Sequence, residues 1–145
     1  MKNTTYRLLD HPHVAANLLK VTTRKKDSTL ENTNSPYPVD PETDMGGAGL
    51  YSSASDFLEL LKSLVRTDGR VLRPETVDIM FGYRLPDSAA FTKFKTENVK
   101  GHFGPLTGEN ATIDHCLAGL VTNQDLVGGR KAGSVSWGGA TRCYW

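Results

Sequence analysis

The sequence predicts an α+β chain, with helices between Pro12 and Phe94 and strands of an antiparallel sheet from His115 onward. Three observations carry that prediction. Phe57, Leu60, Leu61 and Leu64 recur at the i, i+3, i+4, i+7 spacing of one helix face, with Lys62 and Ser63 off it. Pro74-Glu75 opens a second, shorter helical stretch that turns Val77, Met80 and Phe81 inward. The last third then changes period: HCLAGLVT (115–122) and GSVSW (133–137) are short apolar runs bounded by glycine and polar residues, which is strand text.

Length and charge exclude several classes. At 145 residues the chain has the size of one soluble domain and needs no disulfides to bury a core. Lys plus Arg number 17 against 16 Asp plus Glu, a net charge of +1, so nucleic acid and anionic membrane surfaces are not expected partners. The short basic run Arg24-Lys25-Lys26 reads as solvated surface. No apolar run approaches the roughly 18 residues of a membrane span, and the first residues do not lead into the apolar core of a signal peptide. A cytoplasmic location is therefore the default expectation, and the two cysteines, Cys116 and Cys143, are read as small buried hydrophobes.

Taken in order, Met1 to Tyr6 is a polar extended segment. Pro12 then suits a first helical position, with Val14, Ala15, Leu18 and Leu19 as an apolar stripe. His11 and His13 have no third ligand in the surrounding text, so no metal is expected there. Val21-Thr22-Thr23 is a brief strand, followed by a long polar loop from Asp27 to Asp44. Gly46, Gly47 and Gly49 form a hinge. Ser53 caps the central helix, and Asp56 three positions later completes a capping box. Thr67-Asp68-Gly69-Arg70 is the turn that stops it. Asp87 to Lys95 reads as a further short helix capped by Ser88, and Thr96 to Thr112 as a Gly- and Pro-punctuated loop. Gly138-Gly139 is a turn or close-approach signal after the GSVSW strand, and Thr141 to Trp145 begins another strand.

Three apparent motifs fail on context. Gly47-Ala48-Gly49-Leu50-Tyr51-Ser52 has a serine where a dinucleotide fingerprint needs its third glycine, and no hydrophobic strand precedes it. His115 and Cys116 are neighbours on strand text and face opposite ways, so they make no thiol dyad. Ser134-Val135-Ser136-Trp137-Gly138 leads into glycine and strand where a nucleophile elbow needs a helix. What that segment does supply is a strand end with bare backbone beside a large aromatic, where an N–H can be aimed at a developing oxyanion.

Three segments resemble the serine β-lactamase-related family, the group of class C β-lactamases, D-Ala-D-Ala carboxypeptidases, esterases and fungal acyltransferases. They are MKNTTY at the start, MGGAGLYSSASDFLELLKSL with its sequel GRVLRPETVDIMF, and GGRKAGSVSWGGA near the end. The resemblance implies part of a β-lactamase/transpeptidase-like fold. Residues 1–112 would be mainly helical region and loops, and residues 113–145 sheet strands bearing the third motif. It also implies an acyl-enzyme mechanism on a small-molecule acyl substrate, with no cofactor and no metal. Trp137, Gly138 and Gly139 match the third motif in its Trp-x-Gly form, as substrate-binding residues, and Ala140 would give its backbone N–H to the oxyanion hole.

The chain departs from the family in one respect that governs activity: no serine is followed three positions later by lysine, and the nearest forms, at Thr22, Thr23 and Thr92, have threonine. Tyr51-Ser52-Ser53 lacks the asparagine of the family's Tyr-x-Asn motif. The expectation is the later part of one domain, with its N- and C-terminal parts missing, inactive alone. The alternative is a non-catalytic binding domain that kept the scaffold. Neither reading specifies an oligomeric state.

Overall fold

A computed structural model describes residues 1–86, 93–94, 112–139 and 143–145. The expected helix over Asp87 to Lys95, apart from residues 93–94, and most of the loop that follows lie outside the described residues, as does Ala140. The element order is α1 (Pro12–Ala15), β1 (Thr22–Arg24), β2 (Leu30–Asn32), α2 (Ala54–Arg66), α3 (Pro74–Gly82), β3 (Ile113–His115), β4 (Leu120–Thr122) and β5 (Val135–Ser136). Helices followed by an antiparallel sheet make the fold α+β. The chain forms two compact units, Met1–Val71 and Leu72–Trp145.

In the first unit the N-terminal segment is tied to the start of α2. Thr5 and Tyr51 exchange both backbone hydrogen bonds at 2.9 Å. Leu8 behind them is buried. Helix α1 is shorter than its apolar stripe predicts, and Leu18 and Leu19 are exposed, Leu19 at 89%. The reason is local. Asn17 donates its side-chain amide to the His13 carbonyl at 2.8 Å, and the Asn17 and Leu18 N–H groups fall back to i−3 carbonyls. Such side-chain competition ends a helix before its second turn.

The brief strand appears one residue later than expected, as β1, and pairs with β2 in register Thr22 with Asn32, Thr23 with Glu31 and Arg24 with Leu30. The expected loop from Asp27 thus contains a strand. Asp27 closes the hairpin by accepting from the Thr29 N–H at 3.0 Å and its hydroxyl at 2.7 Å. Those bonds, the side-chain one foremost, hold the Asp27 carboxyl below its ordinary pKa. Both strands are exposed on both faces, so no hydrophobic alternation marked β2 in the sequence. After the hairpin, Arg7 holds the chain by donating to the Pro41 carbonyl at 2.8 Å and pairing with Asp44 at 3.1 Å.

Helix α2 begins as its text predicts. Ser53 is extended and its hydroxyl accepts from the Asp56 N–H at 3.2 Å, a cap whose loss costs about 1 kcal/mol. The reciprocal half of the box is absent, because Asp56 Oδ2 instead accepts from the Asn3 N–H at 2.7 Å and the Thr4 hydroxyl at 2.9 Å. Of the hinge glycines only Gly49 has a positive φ, +83°. The apolar face of α2 is half-buried, and its fully buried residue is Ser63, which the periodicity placed off that face. Ser63 donates to Asp68 Oδ1 at 2.5 Å, while Thr67 takes a left-handed conformation and ends the helix. Asp68 also accepts from the Arg70 N–H, and these two bonds lower its pKa, that from Ser63 first.

In the second unit Pro74 occupies the first turn of α3, whose Val77 is buried and whose Met80 and Phe81 are half-buried. The Met80 carbonyl accepts from Leu117, and the Leu85 N–H donates to the His115 carbonyl, so α3 and its exit clasp the β3–β4 hairpin. The sheet order is β3-β4-β5, antiparallel throughout. Central β4 is buried at all three positions, and Ile113 and Leu120 form the core, with Phe94 and Trp137 packed against it. The single strand expected over HCLAGLVT is two strands around a Cys116 to Gly119 turn. It closes by the Cys116 N–H donating to the Gly119 carbonyl at 2.9 Å.

Candidate functional site

The sequence-predicted site residues lie at the end of β5, and the sheet register determines how they arrive there. Leu120 pairs with Ser136 and Val121 with Val135. Gly119 is thereby brought opposite Trp137, where a Cβ built on it would lie 2.8 Å from the Ser136 carbonyl oxygen and 3.5 Å from the Trp137 Cβ. Its φ is +157°, so bare backbone at this turn is what lets β5 come close. The connection feeding β5 is folded by Asp125. Its carboxylate pairs with Lys131 at 2.6 Å and accepts from the Ala132 N–H at 2.9 Å, and the two, Lys131 first, hold its pKa below the ordinary value. Arg130 on the same connection donates to the buried Ser136 hydroxyl at 3.3 Å.

Beyond β5 the chain returns on itself. Trp137 and Trp145 exchange both backbone hydrogen bonds, at 3.1 and 3.0 Å, Gly138 bridges Tyr144, and the Gly139 N–H donates to the Cys143 carbonyl at 3.1 Å. The returning segment expected over Thr141 to Trp145 is therefore seen in its last three residues. Gly138 and Gly139 lie in this ladder and are not themselves the turn. The physical reason is that the ladder requires only extended backbone, which glycine adopts as readily as a turn. Because its N–H is already engaged by Cys143, Gly139 is not a donor for an oxyanion. Among the described residues a Cβ built on Gly139 meets nothing within 4 Å.

Trp137 is half-buried. Its indole packs on Ile113 and Leu120 and meets the His115 ring edge-on, with centroids 5.4 Å apart and planes at 74°. Such a pair contributes about 0.5–1.5 kcal/mol beyond the area it buries. His115 Nδ1 lies 2.5 Å from the Cys116 carbonyl oxygen. A carbonyl only accepts, so Nδ1 carries the hydrogen. The Cys116 thiol instead reaches the Gly119 carbonyl at 3.4 Å, so imidazole and thiol serve separate partners. Cys143, read from the sequence as buried, is exposed. No group of three or more His, Cys, Asp or Glu side chains is placed to hold a metal among the described residues.

The structure brings Trp137, Gly138 and Gly139 together on one strand end, while Ala140 lies outside the described residues. Sequence reasoning did not place His115 and Gly119 at this strand end. A glycine inside an apolar run was the available signal for Gly119. The text marked His115 only as half of a rejected thiol pair with Cys116, and its place against Trp137 comes through the sheet register.

No family model matches the chain. Among curated proteins it is 33% identical over 102 residues to the lovastatin esterase of Penicillium rubens, which covers 69% of this chain and 26% of that protein. It is 30% identical over 148 aligned positions to the acyltransferase mokF of Monascus pilosus, covering 97% of this chain and 36% of that one. A monacolin J acid methylbutanoyltransferase of Aspergillus terreus is 29% identical with the same coverage. Among solved structures, the simvastatin synthase of Aspergillus terreus superposes with a TM-score of 0.78 at 29% identity in its LovD6 mutant form, over 94% of this chain and 35% of that one. Its unliganded form gives 0.76 at 26% identity. The chain spans about a third of the length of the relatives that it matches from end to end. The chain is thus homologous over nearly its whole length to fungal acyltransferases, and over 69% of it to a fungal esterase.

Proposed function

We propose that this chain forms the third-motif portion of a β-lactamase/transpeptidase-like domain that transfers or hydrolyses a small acyl group on an ester, thioester or amide through an acyl-enzyme. The observation that carries the proposal is the half-buried Trp137 leading into Gly138-Gly139 at a strand end, in a chain homologous to acyltransferases. Relatives named as methylbutanoyltransferases and as a lovastatin esterase favour a small branched acyl group on oxygen.

In this reading a serine oxygen attacks the acyl carbonyl, giving a tetrahedral oxyanion, and its proton passes through the family's lysine to the departing oxygen, sulfur or nitrogen. Water or an alcohol then takes the acyl group by the same steps in reverse. Residues of this chain have two roles in it. The indole of Trp137 forms a wall for the acyl group, and the Ala140 backbone N–H, assigned from the family resemblance, donates to the oxyanion. The serine and lysine are not among these 145 residues. Turnover therefore needs a polypeptide that includes them, because loss of a serine nucleophile costs several orders of magnitude in rate.

A chromogenic butanoate ester tests this directly. The purified 145-residue chain is expected to give no hydrolysis above buffer. A longer product of the same reading frame that carries Ser-x-x-Lys is expected to hydrolyse the ester and to lose most of its kcat/KM on Trp137→Ala. Turnover by the 145-residue chain itself, or a reading frame with no such motif upstream, overturns the proposal.

A further inference from the structure

We propose that Ser28, in the turn of the β1–β2 hairpin, is a phosphoryl-acceptor site for a protein kinase that recognises basic residues ahead of its target. The charge pattern is the first support. Adjacent basic residues occur as Arg24-Lys25, Lys25-Lys26 and Arg130-Lys131, and only Lys25-Lys26 has a hydroxyl residue two positions beyond it, namely Ser28. Lysines three and two residues before a serine suit a kinase groove lined by carboxylates, because each brings a cation to a carboxylate there.

The hairpin also selects between neighbouring hydroxyls. Thr29 donates its hydroxyl to Asp27 Oδ1 at 2.7 Å, so that bond must break before its oxygen can attack phosphorus. Ser28 is exposed, and its hydroxyl makes no hydrogen bond among the described residues. Its backbone is engaged on both sides: the N–H donates to the Lys25 carbonyl at 3.0 Å, and the carbonyl accepts from Arg24 Nη1 at 2.8 Å. The side chain is thus the uncommitted part of the residue.

A kinase groove takes extended backbone, and this hairpin is built to yield. Both strands are three residues long and exposed throughout, so no apolar burial resists opening. Lys25 pairs with Glu31 across the strands, an exposed ion pair that opening gives up at little cost. Ser28 has φ +69°, a left-handed conformation that its Cβ disfavours and that extended backbone relieves. In the transfer step a carboxylate of the kinase takes the Ser28 hydroxyl proton, and the bond from Oγ to phosphorus forms. The bond from the terminal phosphorus of magnesium-bound ATP to its bridging oxygen breaks, and ADP leaves. The product carries about two negative charges at a turn where Arg24, Lys25 and Lys26 outnumber Asp27, so the local positive excess is cancelled.

The test incubates the purified 145-residue chain with magnesium ATP and the catalytic subunit of cyclic-AMP-dependent protein kinase, a basophilic enzyme, and locates the modified residue by fragment-ion mass spectrometry. Phosphate is expected on Ser28, with Thr29 unmodified, and Ser28→Ala is expected to remove it. Joint Lys25→Ala and Lys26→Ala replacement is expected to lower kcat/KM for the chain by about tenfold or more, whereas joint Lys25→Arg and Lys26→Arg replacement keeps it. All three positions are exposed, so these variants change charge or hydroxyl and leave packing alone. No phosphate at Ser28 after prolonged reaction, modification of Thr29 as fast as that of Ser28, or an unchanged kcat/KM in the double alanine variant overturns the inference.

Discussion

Asp56 joins the start of α2 to the N-terminal segment, and its chemistry is legible only in part from the chain. Ser53 and Asp56 are three positions apart, so the cap between the serine hydroxyl and the aspartate N–H is a local matter that the text could announce. The partners of the carboxylate are Asn3 and Thr4, more than fifty positions away, and no local rule could name them. The Asn3 N–H is the largest cause that lowers the Asp56 pKa, burial opposes it, and the Thr4 hydroxyl adds to the lowering. A carboxyl with a lowered folded-state pKa contributes stability that is full above its unfolded value of about 4 and disappears as pH falls through the folded value. Asp56→Asn is therefore expected to lower the thermal midpoint at neutral pH, with the gap to the parent chain closing as pH drops below about 4. Melting curves between neutral and strongly acid pH check this, and a gap that stays constant over the range would count against the carboxylate as its source.

At the scale of elements, the β3–β4 hairpin shows what periodicity misses. HCLAGLVT is apolar almost throughout, and an uninterrupted apolar run is what one buried strand looks like. The chain instead turns at Cys116 to Gly119, since a glycine with φ +157° and its carbonyl turned back to the Cys116 N–H closes a tight loop. Gly119→Ala would place a methyl group 2.8 Å from the Ser136 carbonyl oxygen. Backbone there cannot yield as a side chain can, and the expected loss is about 1–3 kcal/mol of stability in urea unfolding. Leu117→Ala two residues earlier, at an exposed position, is the matched control and is expected to change little. Equal midpoints for the glycine variant and its parent would show that β5 can retreat from the turn without cost. The same logic explains α1, where an apolar stripe was present but Asn17 ended the helix first.

For the whole molecule, balanced charge makes a prediction that needs no contact map. With 17 basic and 16 acidic side chains, the chain has no excess of cations with which to displace the counterions of nucleic acid. A fluorescent DNA duplex is expected to show no change in anisotropy with micromolar protein at physiological salt, and salt-dependent binding would contradict this. No helix among the described residues is long and apolar enough to cross a membrane. The sequence alone determined the α+β class, the serine cap of α2 and the proline start of α3. All of these depend on residue type at short spacing, where propensity and periodicity operate. Only the tertiary structure decided that Ser63 and not a leucine is the buried residue of α2, and that the Gly139 N–H is taken by Cys143. It also decided that His115 lies against Trp137. Those outcomes depend on strand register and on contacts between residues distant in sequence, and residue order constrains such contacts only after the sheet has formed.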